Sequence, residues 1–168
     1  MTATDIGMPA DQVIGYGPAM PLIRAAGLSD VAEYAYAATV DVPSRVVFTA
    51  GACPLDGDGA TVCPGDYVGQ ARQVMANLAV ALDSAHAALS DVVKTTVYVA
   101  SSDQLDLGAV WQVVRDAFGD HDPPSTLLGV TVLGYDDQLV EVEAVAAVPA
   151  SRDDDSDGQS ADRGSVDR

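Results

Sequence analysis

Basic residues are scarce in this 168-residue chain: eight Lys and Arg stand against 25 Asp and Glu, for a formal charge of −17. Such a surplus repels phosphate backbones and anionic membrane surfaces, and no local cluster of Lys and Arg offsets it. Neither nucleic acid nor membrane is therefore an expected partner. Glutamate is rare as well. Glu33, Glu141 and Glu143 are the whole set, and Lys94 is the one lysine. No apolar run approaches the roughly 20 residues that span a bilayer. The start, Met1-Thr2-Ala3-Thr4-Asp5, has neither the basic residues nor the apolar stretch of a secretory signal, so the expected location is the cytoplasm. Cys53 and Cys63 are expected there as free thiols. Without a nearby His they make no zinc site. Phosphate loops, dinucleotide fingerprints and Gly-x-Ser-x-Gly elbows are absent from the sequence, so no cofactor and no metal is expected.

Apolar residues make up 48% of the chain, an ordinary share for a globular domain. Residues 1–30, with Pro9, Pro18, Pro21 and several glycines, read as an irregular N-terminal extension. Residues 31–150 read as one domain. The stretch 151–168 is rich in Asp, Ser and Gly and reads as a disordered acidic tail. Its Asp153, Asp155, Asp157 and Gly158 open a calcium-loop pattern, but Gly164 stands where the closing Glu belongs.

Within the domain, strands are expected over Glu33–Val40 and Arg45–Ala52. Asp66 opens a helix whose inward stripe is Ala71, Val74, Met75, Leu78, Leu82 and Ala85. Val92–Ala100 is a β-branched strand. Ser102 or Asp103 caps a second helix striped by Leu107, Val110, Trp111, Val114 and Phe118 and closed by Gly119. Two last strands, Ser125–Leu133 and Gln138–Val148, complete a β-β-α-β-α-β-β order. That order predicts an α+β domain with both helices on one face of a single sheet, and a second face covered by other copies of the chain. On the last strand Glu141 and Glu143 are two residues apart, so both carboxylates point to one face. A charged pair on an apolar strand lines either a wet face or a site.

Five segments fall in the order and spacing of one known family. They are Val47-Phe48-Thr49-Ala50-Gly51, Gln70–Leu78, Asp91–Val99, Pro123-Pro124-Ser125-Thr126 and Val140-Glu141-Val142-Glu143-Ala144. Over residues 33 to 148 the chain resembles the RidA (YjgF) family. The resemblance implies a chorismate-mutase-like fold and a homotrimer with a barrel of sheets at its centre. It also implies a small-molecule cleft at each subunit interface, where reactive 2-imino or enamine acids are hydrolysed without a cofactor. Glu141 falls at the water-positioning glutamate, whose carboxylate takes a proton from water as it attacks an imine carbon; the other reading is a buried structural carboxylate. Tyr34, Gly51, Trp111, Ser125, Thr126 and Leu127 fall at or near substrate-binding positions. For Tyr34 and Trp111 a packing role is the better reading, and Glu143 reads as structural.

One departure matters for chemistry. Ser125 stands where the deaminating relatives carry an arginine that forks the substrate carboxylate. Arg45, Arg72 and Arg115 are the nearest alternatives, none in an obvious register. The expected activity is therefore hydrolysis or tautomerisation of an imine or enamine other than an ordinary 2-imino acid. The alternative is a binding protein that kept the cleft and lost turnover. Ribonuclease activity, a third reading, fits poorly with so acidic a chain. His121, flanked by Asp120 and Asp122, reads as solvated rather than catalytic, and Cys53 as a small inert residue rather than a nucleophile.

Overall fold

The computed structural model describes residues 12–14, 21–29, 31 and 34–150. The tail 151–168, with its calcium-like pattern, and Glu33 lie outside the described residues. Three short strands come first: β1 (Gln12–Ile14), β2 (Leu22–Arg24) and β3 (Ala37–Ala38). They form a small antiparallel sheet in the order β1-β2-β3. This corrects the expectation of an irregular segment up to residue 30. The apolar runs Val13-Ile14 and Leu22-Ile23 pair with each other, Val13 opposite Ile23 and Ile14 opposite Leu22, and Leu22 is buried. Proline and glycine lie between the runs and did not prevent pairing. The strand expected over Glu33–Val40 contracts to β3.

The main sheet contains β4 (Ser44–Phe48), β5 (Val92–Val99), β6 (Ser125–Gly129) and β7 (Val140–Pro149) in the order β4-β7-β5-β6. β7 runs antiparallel to both neighbours, whereas β5 and β6 are parallel. A parallel pair needs a crossover, and α2 (Gln104–Phe118) supplies it. β6 is shorter than expected, because the chain leaves the sheet after Gly129. α1 (Tyr67–Ser84) starts at Asp66, whose side chain accepts from the Gly69 amide. α2 starts at Asp103, which accepts from Leu105 N–H, and ends at Gly119 with φ of 64°, the left-handed region that glycine enters without a steric penalty.

Both helices cover one face. Ala71, Val74, Met75, Leu78 and Leu82 from α1 meet Val110, Val114 and Phe118 from α2 over Val97, Val99, Val140, Val142, Ala144 and Ala146 of the strands. Alternation then sends Glu141, Glu143 and Val145 of β7 to the opposite, open face. In β5 a register shift between Val92 and Lys94 resets the alternation. Beyond it Thr95, Val97 and Val99 are buried toward the helices, and Lys94, Thr96 and Tyr98 join the two glutamates. The open face also carries Val46, Phe48 and Leu128, which are 47%, 76% and 42% exposed. The mixed α+β architecture with two helices on one sheet face agrees with the sequence expectation.

Candidate functional site

Strand geometry divides the expected site residues into two groups. Glu141 and Gly51 form the first, at the end of β7 nearest the 50–55 loop. Ala52 bridges to Val142, with Ala52 N–H donating to the Val142 carbonyl at 2.8 Å, and this brings the backbone of residue 51 over the Glu141 side chain. The approach is so close that a Cβ on Gly51 would sit 1.8 Å from Glu141 Oε1. Only glycine permits it. Gln138, buried two residues before the strand, donates from Nε2 to Glu141 Oε2 at 2.9 Å, and its Oε1 accepts from Tyr135 N–H at 3.0 Å. One carboxylate oxygen is thus clamped, while Oε1 lies over the bare face of Gly51.

α1 holds the surrounding loops. Asn77 Nδ2 donates to the Cys53 and Leu55 carbonyls at 2.8 and 2.9 Å. Gln70, fully buried, donates to the Asp137 carbonyl and accepts from Leu139 N–H. The two loops flanking Glu141 are therefore tied to the helix layer by side-chain amides. Burial, reinforced by the nearby Glu141 charge, raises the Cys53 thiol above its ordinary 9.0. A thiol shifted that way stays protonated at neutral pH, which argues against a thiolate nucleophile. Cys53 and Cys63 are both free.

Further along the open face, Glu143 accepts from Tyr98 Oη at 3.0 Å. That bond, then burial, pushes the Tyr98 hydroxyl above its ordinary 10.0. Lys94 Nζ donates to Thr126 Oγ1 at 2.6 Å and to the Thr95 carbonyl at 2.8 Å. Burial lowers its pKa, with the Glu143 charge opposing. Glu143 is thus knitted into the sheet.

Ser125 belongs to the second group, on the helix side. Its register partner is Thr95, and the two hydroxyls are 2.7 Å apart. Thr126 points the other way, to Lys94, so the expected Ser125–Thr126 pair is split across the sheet. Leu127 turns inward and packs on the core.

The second group surrounds a cavity of about 330 Å³ between α2, the 119–124 loop and the N-terminal segment. Trp111 and Tyr34 meet edge to face in its wall, with ring centroids 5.7 Å apart. Trp111 is half-buried, packs against the core and also lines the cavity. Arg24 and Arg115 are there too; sequence reasoning had passed over Arg24 and found no register for Arg115. Two contacts dock the N-terminal segment. Arg24 pairs with Asp122, and Ala35 N–H donates to the Asp122 carbonyl at 2.9 Å. His121 is only partly solvated. Its Nε2 donates to the Val92 carbonyl at 2.7 Å, and its ring lies near Phe118.

Among the described residues no group of three or more His, Cys, Asp or Glu could hold a metal ion. Nor is any described helix long and apolar enough to cross a membrane.

Comparison with known proteins identifies the family. A family described as Endoribonuclease L-PSP matches residues 28–148. A RutC family protein of Pyrococcus horikoshii is 35% identical over 100 residues, covering 60% of this chain and 77% of that protein. The mouse 2-iminobutanoate/2-iminopropanoate deaminase is 32% identical over 116 residues, 69% of this chain and 82% of the mouse protein. Among solved structures, a protein of unknown function of the Rid family from Yersinia pestis superposes with a TM-score of 0.67 at 25% identity, covering 78% of this chain and all of that one. With the family match spanning most of its length, the chain belongs to the RidA (YjgF) family.

Proposed function

We propose that the protein hydrolyses a small imine or enamine to a carbonyl compound and ammonia, with Glu141 directing the water. One observation carries the reading: Glu141 reaches the open face with Oε2 fixed by Gln138 and Oε1 placed over Gly51. A carboxylate so held can take a proton from water while the oxygen adds to the C=N carbon. The tetrahedral amine then collapses with loss of ammonia, and no electrons change hands. The mouse relative's name is that of a deaminase acting on 2-imino acids. Ser125 lacks the charge to hold such an acid by the usual route, so the substrate proposed is not an ordinary 2-imino acid.

The working form is a homotrimer in which the open face of one subunit is covered by another. The exposed Val46, Phe48 and Leu128 support this, since large apolar groups gathered on one sheet face favour a cover. Small molecules are the only partners proposed besides further copies of the chain, and the proposed location is the cytoplasm. The residues split between the two faces would then act across a subunit contact.

The test is ammonia release from 2-iminobutanoate and from imines without a carboxylate, for the native chain and Glu141→Gln. Release abolished in the variant supports the proposal. Equal rates for native chain, variant and blank would leave a non-catalytic binding protein as the better account.

A further inference from the structure

The two cysteines occupy facing positions of one hairpin. Leu55 and Thr61 form an antiparallel bridge. On its inner side Asp56 N–H donates to the Ala60 carbonyl at 3.0 Å, and on its outer side Val62 N–H donates to the Pro54 carbonyl at 2.9 Å. In that register position 54 meets 62, and the next step outward sets Cys53 opposite Cys63. The flanking bonds mark Leu55–Thr61 as a non-hydrogen-bonded pair, and Cys53–Cys63, two steps on, is of the same kind. Cα atoms of such pairs approach to about 4.5 Å, inside the ~4.4–6.8 Å window of disulfides. Pro54 and Pro64 follow the two cysteines and lack an N–H, so no ladder bond fastens this last pair. Helix α1 holds it instead. Asn77 Nδ2 donates to the Cys53 carbonyl at 2.8 Å, and Gln70 Nε2 donates to the Cys63 carbonyl at 3.4 Å. Gln70 and Asn77 are seven positions apart and share one helix face.

The thiols differ in access. Cys63 is exposed and Cys53 half-buried. Cys53 Sγ lies 3.5 Å from the Gly51 carbonyl oxygen and against the side chains of Gln138 and Glu141. A change at Cys53 is therefore felt two residues away, where Gly51 covers Glu141 Oε1.

We propose that Cys53 and Cys63 close a reversible disulfide in response to small disulfide oxidants, and that closure alters the Gly51–Glu141 contact. Any effect on turnover rests on the hydrolase reading; the disulfide itself does not. Cys63 meets the oxidant first, forming a mixed disulfide and releasing one small thiol. The Cys53 sulfur then attacks the Cys63 sulfur while its proton passes to the adjoining Glu141 carboxylate. The second small thiol leaves and takes up that proton. The two protein sulfurs give up two electrons, and one oxidant disulfide becomes two thiols. Burial, with the Glu141 charge, keeps Cys53 protonated, which suits the second thiol to react rather than the first.

The full-length chain would be equilibrated with 2-hydroxyethyl disulfide and 2-mercaptoethanol, an uncharged couple that a chain of charge −17 does not repel. Acid quenching and peptide mapping read the fraction linked from 53 to 63. So short a loop also closes in an unfolded chain, so the folded oxidation constant is compared with that in urea. Facing cysteines should raise it at least about ten-fold. Cys63→Ser combined with Val62→Cys moves the thiol to the other face of the hairpin and should bring the constant down to the urea value. Cys53→Ser should stop at the mixed disulfide on Cys63. A retained far-UV spectrum checks the fold of each variant.

A constant no higher in the folded chain than in urea would overturn the proposal. So would links between copies of the chain, equal oxidation of the shifted pair, or a mixed disulfide that forms on Cys53 first. The ¹⁵N resonance of the Gly51 amide should move on oxidation and return with dithiothreitol, and should stay in place in Cys63→Ser. An unmoved resonance in the linked chain would sink the coupling to Glu141. Ammonia release is scored separately and should fall in the linked form. Equal release from both redox forms would overturn the coupling and keep the hydrolase reading. A linked chain whose Gly51 resonance moves, with no turnover in either form, would sink the hydrolase reading and keep this one.

Discussion

The two faces of the main sheet differ in almost every respect. Toward the helices, β5 and β7 present Val97, Val99, Val140, Val142 and Ala146, all without solvent exposure. Toward the open side the same strands present Tyr98, Glu141 and Glu143, half-buried and hydrogen-bonded. Apolar burial on the first face drives folding. Polar groups on the second contribute little to folding, yet they are the groups able to move protons. A strand with a period of two can serve both purposes at once, because neighbouring residues never compete for the same environment. The division also means that stability and turnover should respond to different substitutions.

The largest effect is expected on the helix face. Leu78 is fully buried in α1, and Leu78→Ala should cost about 2–5 kcal/mol, read as a lower urea midpoint. Activity per folded molecule should persist. A variant that keeps its midpoint but loses turnover would break the division.

Gly51→Ala tests the other side. Its Cβ must displace Glu141 Oε1, so ammonia release should drop roughly a hundred-fold, in the range set by general acid–base catalysis. The far-UV spectrum should be retained. Turnover equal to that of the native chain would show that the Gly51–Glu141 contact is not part of the site.

Phe48→Asp places a charge on the exposed open face. If the proposed trimer is covered on this face, it should shift the mass measured by light scattering from trimer to monomer, losing burial of about 1.5–3 kcal/mol per side chain. An unchanged mass would mean that this face is not the one covered.

The smallest effect concerns pH. Glu143 accepts a hydrogen bond from the Tyr98 hydroxyl and raises its pKa above 10.0. The folded state thus binds that proton more tightly than the unfolded chain does. The contribution is fully present below pH 10 and is lost as pH rises through the folded value. Tyr98→Phe should therefore be slightly less stable than the native chain at neutral pH, with the gap closing as the solution becomes alkaline. A gap that widened above pH 10 would contradict the Tyr98–Glu143 bond.

Much of the fold was legible because helices advertise themselves. The spacing of Val74, Leu78 and Leu82, the caps Asp66 and Asp103, and Gly119 all sit where the structure uses them. The alternation that puts Glu141 and Glu143 on one face was equally plain. Other features depended on long-range packing. β1 and β2 are three residues each, too short for a period to show, and they exist because they pair. Ser125 and Thr126 look like one binding element in sequence, yet a strand sends adjacent residues to opposite faces. Gln138 left a faint signal, three residues before Glu141. Its contact forms only because the chain turns into the strand there. Arg24 and Trp111 share a cavity only after the N-terminal segment docks on Asp122, and no local pattern encodes that.

The register shift between Val92 and Lys94 gives β5 something like a reading frame. Upstream of it Val92 faces the helices; downstream Thr95, Val97 and Val99 do, a parity that one additional residue makes compatible. Removing Val93 would leave the strand a choice between exposing its valines and breaking its pairing with β7. Single-residue length changes in this fold should therefore survive in the loops around residues 57–60 and 134–137, and fail in the middle of β5, where one residue decides which side chains meet the helices and which reach the open face.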